Sequence, residues 1–271
     1  MPTALVLSPH LDDAAFSCGG LMAMLSDAGW RTVMATAFTR SVPNPAGFAL
    51  ACQTSKGLPP DVDYMALRRD EDRAAAAILG AEPRWLGLPE APHRGYGSAP
   101  ALFGPVLHGD DAWRPLAALI AELAAELRPD LVLVPQGLGS HVDHRQMIQA
   151  VLAAPGLGGT APPGAPLVAW YRDTPYAIRN QSALPDVRLA GLPSCLAGIG
   201  PGLDRKAAAS CAYTSQLGFQ FGGPAAADQA LRAFAAQEGG GLPAERLLGA
   251  LPAGMAHPVE AHVPGAAGAG A

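Results

Sequence analysis

ALVLSPHLDDAAFSCGG, residues 4–20, is the stretch on which the fold turns. Ala4 to Ser8 is an apolar run of strand length. Leu21, Met24, Leu25 and Ala28 then recur at helical spacing and stop at Gly29, a common helix terminator. Between strand and helix lies His10-Leu11-Asp12-Asp13. Adjacent carboxylates repel each other, and Asp is disfavoured in strands and helix interiors. Such a turn therefore holds a cation, a solvated bend or a helix cap.

The same alternation continues outward. Strands are expected at Arg31–Thr39, Arg84–Leu88, Leu131–Pro135 and Pro166–Tyr171. Helices are expected over Met65–Leu79, closed by Gly80, from Pro115 with an apolar face of Leu116, Leu119, Ile120, Leu123 and Leu127, and through Met147–Leu152. Ser41–Pro60 reads as a Pro/Gly-rich loop. This pattern predicts an α/β fold: a Rossmann-like, doubly wound, mostly parallel sheet with helices on both faces. Beyond about residue 177 the alternation weakens to two helices, near Leu203–Gln216 and Ala225–Gln237, which form a C-terminal extension. No linker or repeat divides the chain, so residues 1–263 are expected to be a single domain. The terminal PGAAGAGA, 264–271, has nothing to bury and is expected to be a mobile tail.

Composition narrows the function classes. The 271 residues are 49% hydrophobic and only 15% charged, against about 25% in an average soluble domain. A net charge of −5, with no basic run, argues against nucleic acid, whose binding rests on Lys and Arg neutralising phosphates. Cys18, Cys52, Cys195 and Cys211 form no CxxC pair and read as reduced thiols. No signal peptide is visible, and no apolar stretch reaches the roughly 20 residues of a transmembrane segment. A cytoplasmic protein is the expectation. Oligomeric state stays open, a homo-oligomer included.

A second unusual stretch, GLGSHVDHRQM (residues 137–147), also follows directly on an apolar strand. In doubly wound sheets, ligands bind at the carboxyl ends of strands where the strand order reverses. With order 3-2-1-4-5, the first and fourth strands are neighbours at that reversal. His10, Asp12, Asp13, His141, Asp143 and His144 then meet in one crevice. Imidazoles with carboxylates suit a divalent transition metal, catalytic zinc above all, with Fe2+ also open. Calcium, which takes mostly oxygen ligands, fits less well. A dinucleotide reading is weak: no GxGxxG follows the first strand, and the aspartates would repel a pyrophosphate.

These residues reach a known family. The chain resembles the PIG-L/LmbE-like zinc deacetylases, which remove acetyl groups from N-acetylated amino sugars. Their first motif commonly reads AHPDDE, here Pro9-His10-Leu11-Asp12-Asp13-Ala14, and their HxDH motif is intact as His141-Val142-Asp143-His144. The resemblance continues through Arg68-x-x-Glu71 with Leu79-Gly80, Leu86-Gly87-Leu88-Pro89, Lys206 and Tyr213-Thr214-Ser215-Gln216. It implies that His10, Asp13 and His144 bind zinc and that Asp12 is the general base. It further implies that His141 faces the developing oxyanion, that Asp143 orients His141, and that Arg68 contacts substrate. On composition alone, Arg68 is equally an exposed helix charge. Ala14 for Glu and Leu11 for Pro depart from the pattern without removing a ligand, and they leave the substrate more open than the chemistry.

The resemblance therefore implies a metal-dependent hydrolase that deacetylates an amino sugar or glycoconjugate substrate. The alternatives are a metal-dependent amidase acting on a non-sugar or thiol-conjugate amide, and a non-catalytic glycan-binding module. The loop at residues 90–111, long for a strand-to-helix connection, is expected at the metal edge, with His93, Arg94 and Tyr96 as candidates to bind sugar hydroxyls or as ordinary loop residues. Trp170, Tyr171, Asp173 and Tyr176 are candidates for a sugar-stacking wall or for the cap of the fifth strand.

Overall fold

The computed structural model describes residues 1–157 and 164–255, with the backbone of 257–258 in addition. The tail expected at 264–271 lies outside the described residues. Among the described residues eight strands form one sheet: β1 (Thr3–Ser8), β2 (Arg31–Thr36), β3 (Ala81–Trp85), β4 (Leu131–Pro135), β5 (Leu167–Tyr171), β6 (Ser194–Gly198), β7 (Ala244–Gly249) and β8 (His257–Pro258). Their order is β3-β2-β1-β4-β5-β7-β6-β8. The first five are parallel, and β7, β6 and β8 add to them antiparallel. β1 and β4 are neighbours, as the doubly wound order requires.

Helices cover both faces: α1 (Asp13–Asp27), α2 (Gly47–Thr54), α3 (Tyr64–Leu79), α4 (Ala99–Leu102), α5 (Trp113–Leu127), α6 (Val142–Ala153), α7 (Tyr176–Arg179), α8 (Leu203–Cys211), α9 (Thr214–Phe221) and α10 (Pro224–Glu238). The two-residue period of a strand sorts its side chains. Ala4 and Val6 of β1 and Leu131 and Leu133 of β4 pack with Leu21 and Met22 of α1 and Leu79 of α3. Leu5, Leu7, Val132 and Val134 point the other way, onto Leu116 and Ile120 of α5 and Ile148 of α6. Every residue of β1 and β4 is buried, which is why both read as continuous apolar runs.

Three expectations need correction. β3 lies at 81–85 rather than 84–88, because this edge strand exposes Glu82 and Arg84 and carries no apolar run to mark it. The Ser41–Pro60 segment contains α2. The C-terminal extension is more than helices: β6 and β7 extend the sheet past β5, and the helix expected over 203–216 is two helices, α8 and α9, broken at Ala212–Tyr213.

Candidate active site

The two motif loops leave adjacent strand ends. After β1, Ser8 Oγ donates to the His10 carbonyl (2.7 Å) and accepts the Ala14 N–H (3.1 Å), so a serine, not an aspartate, satisfies the start of α1. Asp12 makes no capping bond, and its backbone sits at φ 150°, a region rarely adopted outside glycine. Asp13 folds back so that its Oδ2 accepts the His10 N–H at 2.9 Å. After β4, Ser140 also has a positive φ (62°), and His141 Nδ1 accepts the Asp143 N–H at 3.2 Å to open α6. Gly139 matters here: a Cβ would lie 2.7 Å from the Tyr176 ring, which packs on this turn.

The loops converge as the topology predicted. Nitrogen atoms of His10, His141 and His144 lie within 4.8 Å of one another. Asp13 Oδ2 sits 3.1 Å from His10 Nδ1 and 3.2 Å from His144 Nε2. Ligand atoms about 2.0–2.1 Å from a tetrahedral centre lie roughly 3.3 Å apart, so these spacings fit a four-coordinate metal. His144 Nε2 is buried and has no hydrogen-bond partner, as a nitrogen reserved for a metal would be. The far nitrogen of each of these rings meets a carboxylate: His10 Nε2 with Asp143 Oδ2 (2.9 Å) and His144 Nδ1 with Asp173 Oδ1 (2.5 Å). Carboxylates behind imidazoles in this way are a general feature of metal-ligating histidines.

The charge balance points the same way. Asp12, Asp13, Glu90, Asp110, Asp143 and Asp173 face only two guanidinium groups, Arg68 and Arg94, in a largely buried floor. Burial alone would lower His144, yet Asp13 and Asp173 raise it to about 9, and His10 is raised for the same reason by Asp13 and Asp143. The floor thus favours added positive charge. Burial pushes the Asp12 carboxyl up to about 7 against the pull of Arg68, whose nearest nitrogen is 3.6 Å away. His141 is lowered to about 3 by burial and by the neighbouring His10.

Several expected placements change. Asp143 does not turn its carboxylate to His141. Its Oδ2 takes His10 and the Ala91 N–H (3.1 Å), its Oδ1 takes Arg94 (2.7 Å), and only its backbone N–H holds His141. Arg68 is no exposed charge: it is buried, pairs with Glu90 (2.6 Å) and donates to the Leu11 carbonyl (3.0 Å). Arg94 and Tyr96 do not reach the cleft. Arg94 spends its donors on Asp110, Asp143 and the Pro89 carbonyl, and the fully buried Tyr96 donates to Asp110 (2.8 Å). His93 lines an adjoining surface hollow that shares Cys52, Glu90 and Pro92 with the cleft. Trp170 and Tyr171 belong to the core. Asp173, read only as wall or cap, is the carboxylate behind His144. Its place just past β5, the strand next to β4, was the available signal.

Above the floor is a cleft of about 350 Å³. Its walls are largely apolar: Phe48, Ala51 and Cys52 of α2, Leu102 and Phe103 at the end of α4, Tyr176, and Phe219 of α9. Gln216 enters it because buried Glu71 accepts Thr214 Oγ1 (2.8 Å) and the Ser215 N–H and Oγ (both 2.7 Å), fastening α9 to α3. Among the described residues, no helix is long and apolar enough to cross a membrane.

Comparison with known proteins places the chain in a family. The family described as PIG-L, GlcNAc-PI de-N-acetylase, matches residues 5–155, and the chain belongs to it. The 2'-N-acetylparomamine deacetylase of Streptomyces fradiae is 36% identical over 174 residues, covering 64% of this chain and 57% of that protein. The zinc-inhibited form of a teicoplanin deacetylase superposes with a TM-score of 0.76 at 25% identity, over 91% of this chain and 97% of the other. The deacetylase of the A40926 pseudoaglycone superposes with a TM-score of 0.75 at 27% identity, over 91% and 96%.

Proposed function

We propose that this member of the PIG-L family is a hydrolase that removes the acetyl group from an N-acetylated amino sugar carried on a larger glycoconjugate. In this reading His10, Asp13 and His144 hold one divalent transition metal, with zinc the expected occupant. The observation that carries it is the pair of imidazole–carboxylate couples, His10 with Asp143 and His144 with Asp173, converging on Asp13 Oδ2. When bound, such a metal supplies a Lewis acid that polarises a carbonyl and acidifies water.

The chain's own groups supply the rest. Among the described residues the Asp12 carboxylate accepts no hydrogen bond and keeps a distant contact with Arg68, so its oxygens are free to take a proton from water as that water attacks the amide carbon. The C–N bond then breaks, acetate forms, and Asp12 returns the proton to the departing nitrogen. Because His141 Nδ1 accepts from the backbone, its proton sits on Nε2, and the ring acts as a neutral donor to the developing oxyanion rather than as a cation. Arg68 steadies this loop through the Leu11 carbonyl. A glycan-binding module would have no use for a free buried carboxylate beside the ligands.

The apolar walls favour a sugar attached to an apolar body over a free amino sugar, and the deacetylation of teicoplanin and of the A40926 pseudoaglycone by similar proteins supports that choice. The same walls give some weight to a non-sugar amide. Metal analysis with a small panel tests the proposal: N-acetylglucosamine, its alkyl and aryl glycosides, an N-acetylated aminoglycoside and a simple aryl acetamide. Close to one equivalent of metal, its loss in His144→Ala, and acetate release from the glycosides are expected. Full metal content in His144→Ala removes it from the ligand set, and turnover of the aryl acetamide alone moves the function to the non-sugar class.

A further inference from the structure

The segment 90–111 walls the cleft through Leu102 and Phe103, but its Arg94 turns away from the cleft. Arg94, near its start, lies with its guanidinium 4.9 Å from the ring centroid of the buried Phe38. Its Nε and Nη2 clamp Asp110 (both 3.0 Å), Nη1 donates to the Pro89 carbonyl (2.7 Å), and Nη2 also reaches Asp143 Oδ1 (2.7 Å). Asp143 is wholly buried, and its other oxygen accepts His10 Nε2–H. A continuous line therefore runs from Asp110 through Arg94 and Asp143 to His10.

From this line the structure assigns Arg94 as a positioning residue that sets the metal affinity of the site by holding Asp143 against the far nitrogen of His10. It rests on the reading of His10 as a ligand. The physical reason is charge and aim. A carboxylate held by a clamped cation is fixed in place, and a fixed carboxylate behind an imidazole fixes its tautomer and ring orientation. Without Arg94, Asp143 would lose the donor that fixes its Oδ1, and with it the aim of Oδ2 at His10. Lys cannot replace the fork, since an ammonium is a point donor and cannot span both carboxylates. Through Arg94 and Asp110 the segment is thereby an extension of the metal centre, while its Leu102 and Phe103 wall the cleft.

The competing explanation is that Arg94 only packs the loop, and Tyr96 separates the two. Its hydroxyl donates to the same Asp110 (2.8 Å) and accepts the Leu107 N–H (3.0 Å), but it does not touch Asp143. Zinc affinity is measured by competition with a chromophoric chelator for the full-length protein and for Arg94→Met, Arg94→Lys, Asp143→Asn, Tyr96→Phe, His10→Ala and the Arg94→Met/Asp143→Asn pair. Arg94→Met is expected to weaken zinc binding by about 10–100-fold, the usual effect of removing a partner of a metal-bound histidine. Arg94→Lys should fall between it and the parent, and the pair should be no weaker than Asp143→Asn alone. Tyr96→Phe should lower thermal stability and leave zinc affinity unchanged. Parent-like affinity in Arg94→Met overturns the assignment, as does a Tyr96→Phe loss equal to that of Arg94→Met. If Arg94→Met does not fold, parent-like affinity in Arg94→Lys decides against it. Parent-like affinity in His10→Ala takes His10 out of the ligand set, and the assignment falls with it.

Discussion

The floor of the cleft and its walls are built on different terms. On the floor, His10, Asp13, Asp143, His144 and Asp173 are mostly buried and hold one another at 2.5–3.2 Å, on loops anchored at the ends of β1, β4 and β5. The walls come from the short helices α2 and α4 and from α9. There Phe103 and Phe219 remain 45% and 65% exposed and make few polar commitments. A buried floor whose side chains hold one another preserves its geometry and tolerates little change, whereas exposed apolar walls can vary without disturbing it. The reaction is therefore assigned to the floor and substrate choice to the walls. Residues 90–111 serve both parts: Phe103 walls the cleft, whereas Arg94 holds Asp143, so shortening the segment would also damage the floor.

The sharpest test of the floor is Asp12, its one carboxylate without a hydrogen bond. Asp12→Ala is expected to keep its metal and lose about 10²–10⁴-fold in turnover, the contribution typical of a positioned general base. Steady-state assay beside metal analysis checks it. Loss of metal would make Asp12 a ligand, and near-normal turnover would remove its role as base.

On the walls, Phe103 stands edge-on to His141 at 5.4 Å between centroids, and Phe219 lies beneath the Lys56 ammonium at 5.4 Å. Truncating either to Ala should cut kcat/KM by about 10-fold for substrates with an apolar aglycone and less for free N-acetylglucosamine, since one apolar contact discriminates by roughly 10–200-fold. Zinc content should not move. An equal loss across all substrates would mean that these rings support the floor instead.

The legibility of the sequence follows the same divide. β1 and β4 could be read because strands buried on both faces must be apolar throughout, and HLDD and HVDH because both stand at the ends of strands that the doubly wound order makes neighbours. β6 (SCLAG) and β7 (AERLLG) carry small and polar residues and gain strand form from pairing with β5 and with each other, which no local pattern announces. Arg94 looked like a surface donor because Asp143, 49 residues away, and Asp110 are brought to it only by the fold. Asp173 was hidden likewise, its imidazole partner lying on another strand's loop.

The smallest expected effect tests whether a cationic partner decides how a buried carboxylate behaves. Asp143 is buried too, but His10 and Arg94 hold it well below the usual carboxylate range. Asp72 of α3 receives only neutral donors, Trp85 Nε1–H and the Tyr213 hydroxyl (both 2.8 Å), and burial pushes it from 3.8 up to about 6. The folded state therefore holds the Asp72 proton more tightly than the unfolded chain does. The resulting stability is fully present below about pH 4 and is lost as pH rises through about 6, a difference of roughly 3 kcal/mol. Asp72→Asn keeps an acceptor for Tyr213 and removes the titration. Denaturant unfolding of parent and variant at pH 4 and pH 7 should show the variant losing less stability between the two values. An identical loss in both would mean that Asp72 does not titrate in this window, and that neutral hydrogen bonds suffice to keep a buried carboxylate charged here.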